Sequence, residues 1–396
     1  MLDDLRGSES DLYAELRKSA QSKDPVTGLT HCHFKYPARF SPQFVASALE
    51  QFSRPGDLVL DPYMGGGTTV VEALARSRLA VGCDINSLAV FVTRVKCASL
   101  SSSDYQSLRT WAQCVVPGLS YHSTPPGLES VICAIRTRNL TMPRARPFKK
   151  LIALALASIT EFESEVAQEF ARCAVLNASQ WALDGRKSTP SLDQFRARLE
   201  QTTLQMLESA GELGKSLKRP ADQYGAPTLI HDSAENLARH SPFHRGRKVD
   251  LVITSPPYPG VHVLYHRWQV DGRRETPAPY WIANCLDGQG ASYYTFGDRK
   301  QADRQNYFDA SLRTLHGIRA VMRCGAVIVQ MVAFSNPERQ LPRYLKNMRE
   351  AGFREMEPSN GGSSRIWREV PGRNWHATLQ GKTSSAREVV LVHSAE

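Results

Sequence analysis

The chain has 396 residues, a formal net charge of +10 and no apolar run near the roughly 18 residues that a membrane span requires. This length is sufficient for one large core or two modest ones, and the basic balance favours a polyanionic partner bound in a salt-dependent way. The chain opens on an acidic segment, residues 1–5, unlike a signal peptide, so we expect a cytoplasmic protein with no membrane partner. None of the eight cysteines forms a Cys-x-x-Cys pair, which argues against a zinc site, and we expect no metal.

The first elements are helical. Residues 1–30 are polar and predict a loose arm with one short helix. Residues 41–52 predict a helix, because Pro42 stands in the first turn and apolar residues recur at helical spacing.

A strand, a glycine-rich turn and a helix follow. The apolar run 58–60 predicts a buried strand ending at Asp61, and Gly65–Gly67 allow the backbone to approach a ligand closely. No lysine follows the last glycine, so this is not a P-loop. A second strand ends at Asp84, about twenty residues on, where an acid commonly binds ribose hydroxyls. This order predicts half of a doubly wound, nucleoside-binding sheet; a plain flexible turn at Gly65–Gly67 is the alternative.

Residues 101–226 separate this half from the next sheet-like pattern. They contain helical runs at 148–176 and 192–216, which we interpret as an inserted helical subdomain. The insert also carries a basic cluster of Arg136, Arg138, Arg144, Arg146, Lys149 and Lys150. Two interpretations of the cluster stay open: a nucleic-acid contact, or the solvated face of a helical cover for the sheet.

The remaining pattern completes a sheet. Strands are predicted at 228–231, directly before Asp232 and Ser233, and at 249–252. Helical segments at 306–322 and 342–350 flank a buried strand at 325–332. A late strand at 388–393 is expected to pair antiparallel with its neighbour.

The strand at 249–252 leads into Ser255-Pro256-Pro257-Tyr258. The two prolines fix φ and leave two carbonyls with no local N–H competing for them. The loop therefore offers a hydroxyl, backbone acceptors and an aromatic face, a set that suits an exocyclic amino group on a flat heterocycle. Taken alone, a stiff structural turn explains the tetrad equally well.

Residues 261–304 are rich in aromatic and basic side chains. Aromatics interleaved with basic residues suit stacked bases and phosphates, although packing over the preceding loop is the alternative. These side chains are Tyr265, His266, Arg267, Trp268, Tyr280, Trp281, Tyr293, Tyr294, Phe296, Arg299 and Lys300.

Three segments together resemble the DNA amino-methyltransferases that modify cytosine N4 or adenine N6. Residues 61–69 resemble the cofactor motif of that family, 254–258 its catalytic motif, and 33–42 the segment that closes over the methionine part of the cofactor. The resemblance covers roughly residues 31–97 and 228–270. It implies an α/β fold, a Rossmann-like doubly wound methyltransferase sheet with an inserted helical subdomain.

The resemblance also implies a domain plan, a cofactor and site residues. The plan is an N-terminal arm (1–30), a cofactor-binding half (31–100), the helical insert (101–226) and a catalytic half (227–396). The cofactor is S-adenosyl-L-methionine. The implied cofactor-binding residues are His33, Phe34, Lys35, Pro37, Asp61, Pro62, Tyr63, Gly65, Gly67, Thr68, Thr69, Asp84, Ile85, Asp232 and Ser233. The implied catalytic residues are Ser255, Pro256, Pro257 and Tyr258.

The implied reaction is methyl transfer to the exocyclic amine of a base flipped out of double-stranded DNA, with a restriction endonuclease as the partner in the same system. In this family a serine opening the tetrad leans toward cytosine N4. Adenine N6, an RNA amino-methyltransferase, and a non-catalytic nucleic-acid-binding protein stay open as alternatives. The insert precedes Asp232 instead of following it, which departs from the family pattern, so target recognition is expected to involve residues 261–304 and 358–385 as well.

Overall fold

Strands form where the sequence has short, continuous apolar runs, as expected for a sheet covered on both faces. The computed structural model describes residues 9–22, 24, 26–36, 40–132, 135–186, 188–217, 226–259, 267–270, 274–286, 296, 305–334, 336–357, 363–369 and 387–396. The strands are β1 (Leu58–Asp61), β2 (Leu79–Asp84), β3 (Thr228–His231), β4 (Val249–Thr254), β5 (Trp268–Val270), β6 (Arg274–Thr276), β7 (Met322–Ala333), β8 (Phe353–Glu355), β9 (Ile366–Glu369) and β10 (Arg387–Ala395).

Helices begin mostly at side chains that suit a helix N-terminus. Ser101 and Ser191 each form a capping box, and Asn86 and Ser164 accept a hydrogen bond from the first turn of their helices. None of the described helices combines the length and apolar character that crossing a membrane requires. The helices are α1 (Glu9–Gln21), α2 (Pro42–Phe52), α3 (Thr68–Ala75), α4 (Ser87–Lys96), α5 (Ser102–Thr110), α6 (Leu128–Val131), α7 (Arg146–Ile159), α8 (Glu165–Leu183), α9 (Leu192–Ser216), α10 (Ala278–Ile282), α11 (Gln305–Val321) and α12 (Pro337–Glu350).

The main sheet has the order β3-β2-β1-β4-β7-β10-β8, with β9 also paired to β10. β1 is parallel to β2 and β4, whereas β10 is antiparallel to β7 and β8. This methyltransferase-like order confirms the predicted doubly wound fold and its late antiparallel strand. The chain order reverses between β1 and β4, and the crevice outside the carboxyl ends of strands at such a point is where ligands bind in open α/β sheets.

The N-terminal helix is docked, which corrects the expectation of a loose arm. Leu16 of α1 is fully buried and Tyr13 is buried with it. The Tyr13 hydroxyl donates to the Met356 carbonyl at 2.9 Å. Because these side chains lie in the core between α2 and one face of the sheet, α1 contributes to the fold of the sheet itself.

The insert has its own helical core, and that core extends beyond residues 101–226. The β5–β6 hairpin and α10, predicted to lie in the catalytic half, pack against α7 to α9. Tyr280 and Trp281 are buried there, and the Trp281 indole donates to the Val131 carbonyl at 2.6 Å. Trp268 is buried as well. The packing interpretation is therefore the correct one for these three aromatics, and the predicted base contacts are wrong for them.

Candidate active site

Two loops meet at the carboxyl edge of the sheet, one after β1 and one after β4. The Thr254 hydroxyl donates to the Asp61 carboxylate at 2.7 Å, and the Thr69 hydroxyl donates to the Ile253 carbonyl at 3.3 Å. These two hydrogen bonds join segments nearly two hundred residues apart in sequence. The glycine turn and the Ser255–Tyr258 tetrad are consequently held side by side.

Asp61 is the centre of this connection. Burial raises the pKa of its carboxyl to about 6, while hydrogen bonds from Thr254 and the Tyr63 backbone act in the opposite direction. The side chain is 2% exposed, and its contacts are with the protein. We assign Asp61 the role of joining the two loops.

Three side chains contact the glycine turn, residues 65–67. The Gly65 N–H donates to the Asp84 carboxylate at 2.9 Å. The Lys96 ammonium, 1% exposed, donates to the Gly66 carbonyl at 2.6 Å. A Cβ at Gly66 would lie 2.8 Å from the Cβ of Tyr36, so that ring sits directly against the turn. The turn is preorganised, which lowers the cost of ordering it around a ligand.

Asp84 ends β2 beside this turn and is half-buried. Burial raises the pKa of its carboxyl to about 6, and hydrogen bonds from the Asn86 and Gly65 N–H groups and the nearby His231 act against that rise. One carboxylate oxygen accepts from each of these two N–H groups. Because a carboxylate has about four acceptor positions, two remain for ligand hydroxyls.

The tetrad is braced by side chains from distant strands and helices. The Ser255 and Tyr258 hydroxyls are 3.0 Å apart, and the Tyr258 hydroxyl donates to Glu388 of β10 at 2.9 Å. The Tyr307 hydroxyl of α11 donates to the Pro257 carbonyl at 2.9 Å. Ser255, Pro257 and Tyr258 are half-buried, so they keep surface that a ligand can reach, whereas Pro256 between them is buried.

A family model described as DNA methylase, of the N6/N4 class, matches residues 9–92. Over residues 9–92 the chain is therefore similar to the N6/N4 DNA methylases. Type II methyltransferase M.MjaII of Methanocaldococcus jannaschii is 34% identical over 88 residues, which are 22% of this chain and 16% of that protein. Type II methyltransferase M.MvaI of Kocuria varians is 35% identical over 78 residues, 19% of this chain and 17% of that protein. The matches thus span less than a fifth of each relative.

Comparison with solved structures gives only low similarity. TrmN from Thermus thermophilus is 13% identical, with a TM-score of 0.33 over 90% of this chain and 49% of that chain. An rRNA methylase from Streptococcus thermophilus is 8% identical, with a TM-score of 0.34 over 90% of this chain and 98% of that chain. Likenesses of this size carry no information on the substrate.

Two residues of the segment predicted to close over the cofactor, His33 and Phe34, are turned into the insert. His33 and Phe34 have almost no exposed surface, so direct cofactor contacts do not fit their placement. The His33 ring lies 2.9 Å from the Ser209 hydroxyl of α9, and burial lowers its pKa to about 3. Lys35 is exposed, and its carbonyl accepts from Gln180 of α8. Pro37 lies outside the described residues.

The other predicted cofactor residues divide by exposure. Those with surface open to a ligand are Tyr63, Gly65, Asp84, Ile85, Asp232 and Ser233. Those that are buried are Asp61, Pro62, Gly67, Thr68 and Thr69. The first group lies at or after the ends of β1, β2 and β3. The second group consists of residues at the end of β1, in the glycine turn and at the start of α3.

The Asp232 carboxylate already has three hydrogen-bond partners within the protein. Its carboxylate accepts from the Ser233 N–H at 2.7 Å and from the Asn236 amide at 3.0 Å, and lies 2.7 Å from the His240 ring. These hydrogen bonds lower the pKa of the Asp232 carboxyl despite some desolvation. The prediction that it accepts from an adenine amine stays a prediction, and such a bond would share the carboxylate with these partners.

Three side chains of the site were not predicted from the sequence. They are Lys96, Tyr307 and Glu388. Glu388 carried a usable signal, because a carboxylate inside an apolar strand is rarely buried without a partner. Lys96 and Tyr307 stand on amphipathic helices, where their direction cannot be distinguished from a solvent-facing one by spacing alone.

Proposed function

We propose that this chain transfers a methyl group from S-adenosyl-L-methionine to the exocyclic amine of a base in double-stranded DNA. The observation that carries the proposal is the hydrogen bond from Thr254 to Asp61, which sets the glycine turn beside the tetrad. A cofactor site and an amine-binding loop in one crevice suit direct transfer between two bound molecules.

The cofactor fits the residues around the turn. Gly65 has a φ of +46° and keeps exposed surface, so the backbone can approach a ligand where a side chain would interfere. Asp84 and the half-buried Ile85 would hold the ribose, and the Tyr63 ring lies beside that of Phe296, 5.9 Å between ring centroids. When bound, S-adenosyl-L-methionine supplies an electrophilic methyl group on a sulfonium sulfur.

The residues of the tetrad would prepare the amine. Its lone pair is delocalised into the base ring, so the nitrogen is a poor nucleophile until it becomes tetrahedral. The Ser255 hydroxyl and the Pro256 carbonyl accept its two hydrogens and favour that form, since the Pro257 carbonyl is engaged by Tyr307. A duplex conceals the amine, so the base is flipped out and stacks on Tyr258.

Replacing Asp84 by alanine should weaken cofactor binding by about 1–3 kcal/mol, the usual scale of lost hydrogen bonds to a charged group. Calorimetric titration measures the affinity, and circular dichroism confirms that the variant folds. Because burial raises the pKa of Asp84 to about 6, wild-type affinity should fall as the pH drops from 7 to 5, whereas the variant should show a flatter profile. An unchanged affinity in a folded variant removes Asp84 from the site.

Within the amino-methyltransferases we propose cytosine N4 as the target, on the serine that opens the tetrad, with adenine N6 as the alternative. DNA incubated with the protein and cofactor is digested to nucleosides and examined by mass spectrometry. N4-methyl-2′-deoxycytidine supports the first assignment and N6-methyl-2′-deoxyadenosine the second. Methylated nucleosides only from RNA would redirect the proposal to an RNA amino-methyltransferase. Cofactor binding with no turnover on either would indicate a non-catalytic protein, and a restriction endonuclease partner remains part of the DNA proposal.

The insert offers a basic surface for the DNA backbone. Arg146, Lys149 and Lys150 line an open groove of ≈ 980 Å³ at the start of α7. The Lys150 ammonium lies 5.0 Å from the centroid of the Tyr121 ring at the same place. A groove of this charge suits phosphates, which contribute a large share of protein–DNA affinity.

Replacing Arg144, Arg146 and Lys149 by glutamine should reduce DNA affinity and flatten its salt dependence by about one unit of slope per lost phosphate contact. Fluorescence anisotropy across a salt series measures both. The matched control replaces three exposed basic residues, Arg245, Arg247 and Lys248. They directly precede β4 and therefore lie at the amino end of that strand, away from the crevice at the carboxyl ends. If the slope is the same in both triple variants, the basic cluster is only a solvated face.

A further inference from the structure

A chain of hydrogen bonds runs from the tetrad to a carboxylate on β10. The Ser255 and Tyr258 hydroxyls are 3.0 Å apart, and the Tyr258 hydroxyl donates to Glu388 Oε1 at 2.9 Å. Glu388 is 5% exposed and lies 130 residues from Tyr258 in sequence. A buried acid hydrogen-bonded to Tyr258, whose hydroxyl contacts that of Ser255, calls for a functional explanation.

Arg368 of β9 holds the other oxygen of that carboxylate. Its guanidinium nitrogens lie 2.6 and 2.7 Å from Glu388 Oε2, and the two side chains are 11% and 7% exposed. On the β7 side the residue paired with Glu388 is Ala333. Among the described contacts, Arg368 and Tyr258 are the titratable groups against this carboxylate. Arg368 donates only and cannot lose its proton in a protein, so Glu388 is held as an acceptor.

The acceptor at the end determines the direction of the whole chain. Because an ionised carboxylate only accepts, Tyr258 must donate to Glu388, and the Tyr258 oxygen then accepts from Ser255. The Ser255 hydrogen is thereby directed at Tyr258. What Ser255 presents to a bound base is a lone pair, which suits an amino group and repels a keto oxygen.

We propose that Glu388 is a positioning residue that makes this site select an amino group over a keto group on the target base. The inference rests on the proposed function. It adds the residue by which the site distinguishes an amino base from the corresponding deaminated, keto base. Glu388 acts through Tyr258 and Ser255, so its effect is on discrimination between bases.

The test uses two matched duplexes. The target position is first mapped in DNA that the wild-type protein methylates. One duplex then carries the target amino base, and the other its keto counterpart, uracil for cytosine or hypoxanthine for adenine. Affinities are measured by fluorescence anisotropy with S-adenosylhomocysteine present, which has no methyl group to transfer. Comparing the amino-to-keto affinity ratio between protein variants cancels the difference in pairing strength between the two duplexes.

Glu388→Gln should lower that ratio about tenfold, the change that reversing one hydrogen bond of ordinary net strength produces. The carbonyl oxygen of the new amide must face Arg368, so its N–H faces Tyr258, reverses the chain and lets Ser255 donate to a keto oxygen. Tyr258→Phe keeps the aromatic face and the Arg368–Glu388 pair, releases the Ser255 hydrogen, and should lower the ratio as well. This second variant carries the test if Glu388→Gln does not fold.

Glu355→Gln is the matched control, since Glu355 of β8 also pairs with an arginine through two guanidinium nitrogens, in this case Arg365 directly before β9. Its amino-to-keto ratio should equal that of the wild type. An unchanged ratio in folded Glu388→Gln or in Tyr258→Phe overturns the inference while leaving methyl transfer established. If the wild-type protein methylates no base amine in DNA, the proposed function itself fails, before any variant is compared.

Discussion

Replacing Tyr258 by alanine should abolish most methyl transfer while leaving cofactor binding intact. The substitution removes the face on which the flipped base stacks, worth about 1–3 kcal/mol per base, and also the hydroxyl that holds Ser255. Cofactor affinity should survive, because the described contacts of the glycine turn are with Asp84, Lys96 and Tyr36. Single-turnover assays with tritiated cofactor measure transfer, and calorimetry measures binding.

Replacing Ser255 by alanine separates chemistry from binding in the same assay. Its hydrogen bond to the amine matters most as the nitrogen becomes tetrahedral, so the transfer rate should fall more than the DNA affinity. Near-normal rates in both the Ser255 and the Tyr258 variants would mean that the tetrad is a structural turn. The catalytic assignment would then be wrong.

Replacing Gly67 by alanine should destabilise the cofactor side of the fold by about 2–4 kcal/mol, combining overpacking with a left-handed backbone. Gly67 has a φ of +74°, and an added Cβ would lie 2.5 Å from the Thr93 hydroxyl and 2.7 Å from its methyl group. Thr93 is fully buried on α4 and cannot move aside cheaply. Thermal unfolding should show a lower Tm, and cofactor affinity should fall with it.

A second glycine separates the two causes. Gly246 also has a positive φ, +83°, but an added Cβ there meets nothing within 4 Å. Gly246→Ala should therefore show the backbone cost alone, a loss of about 1 kcal/mol. Adding Thr93→Ala to Gly67→Ala should recover part of the stability. Equal losses at Gly67 and Gly246 would show that contact with Thr93 is unimportant.

Local pattern was sufficient for six of the ten described strands and for the motifs at their ends, whereas β5, β6, β8 and β9 were not predicted. β1 and β2 end at Asp61 and Asp84 as predicted, and α9 covers the predicted 192–216. Buried parallel strands are short apolar runs bounded by glycine, proline or an acid, and all of that is local information. A motif placed at the carboxyl end of such a strand falls in the crevice of the sheet by topology alone.

Local pattern was insufficient for deciding what a buried side chain faces. His33 and Phe34 stand in a segment that resembles a cofactor motif, yet they pack into the insert. Tyr280 and Trp281 have the composition of a base-stacking surface, yet they fill a core. Aromatic and histidine side chains occur both in ligand sites and in cores. Which of the two applies depends on the residues that pack against them, and these come from a distant part of the chain.

The doubly wound sheet, the glycine turn and the position of the tetrad could be predicted from local patterns, because each pattern involves residues near one another in the chain. How these parts are joined could not be predicted and is visible only in the folded protein. The Asp61–Thr254 and Tyr258–Glu388 hydrogen bonds connect residues 193 and 130 positions apart. Such pairs follow no period, since the spacing between two segments depends on how much chain was inserted between them, and only folding brings their donors and acceptors within reach.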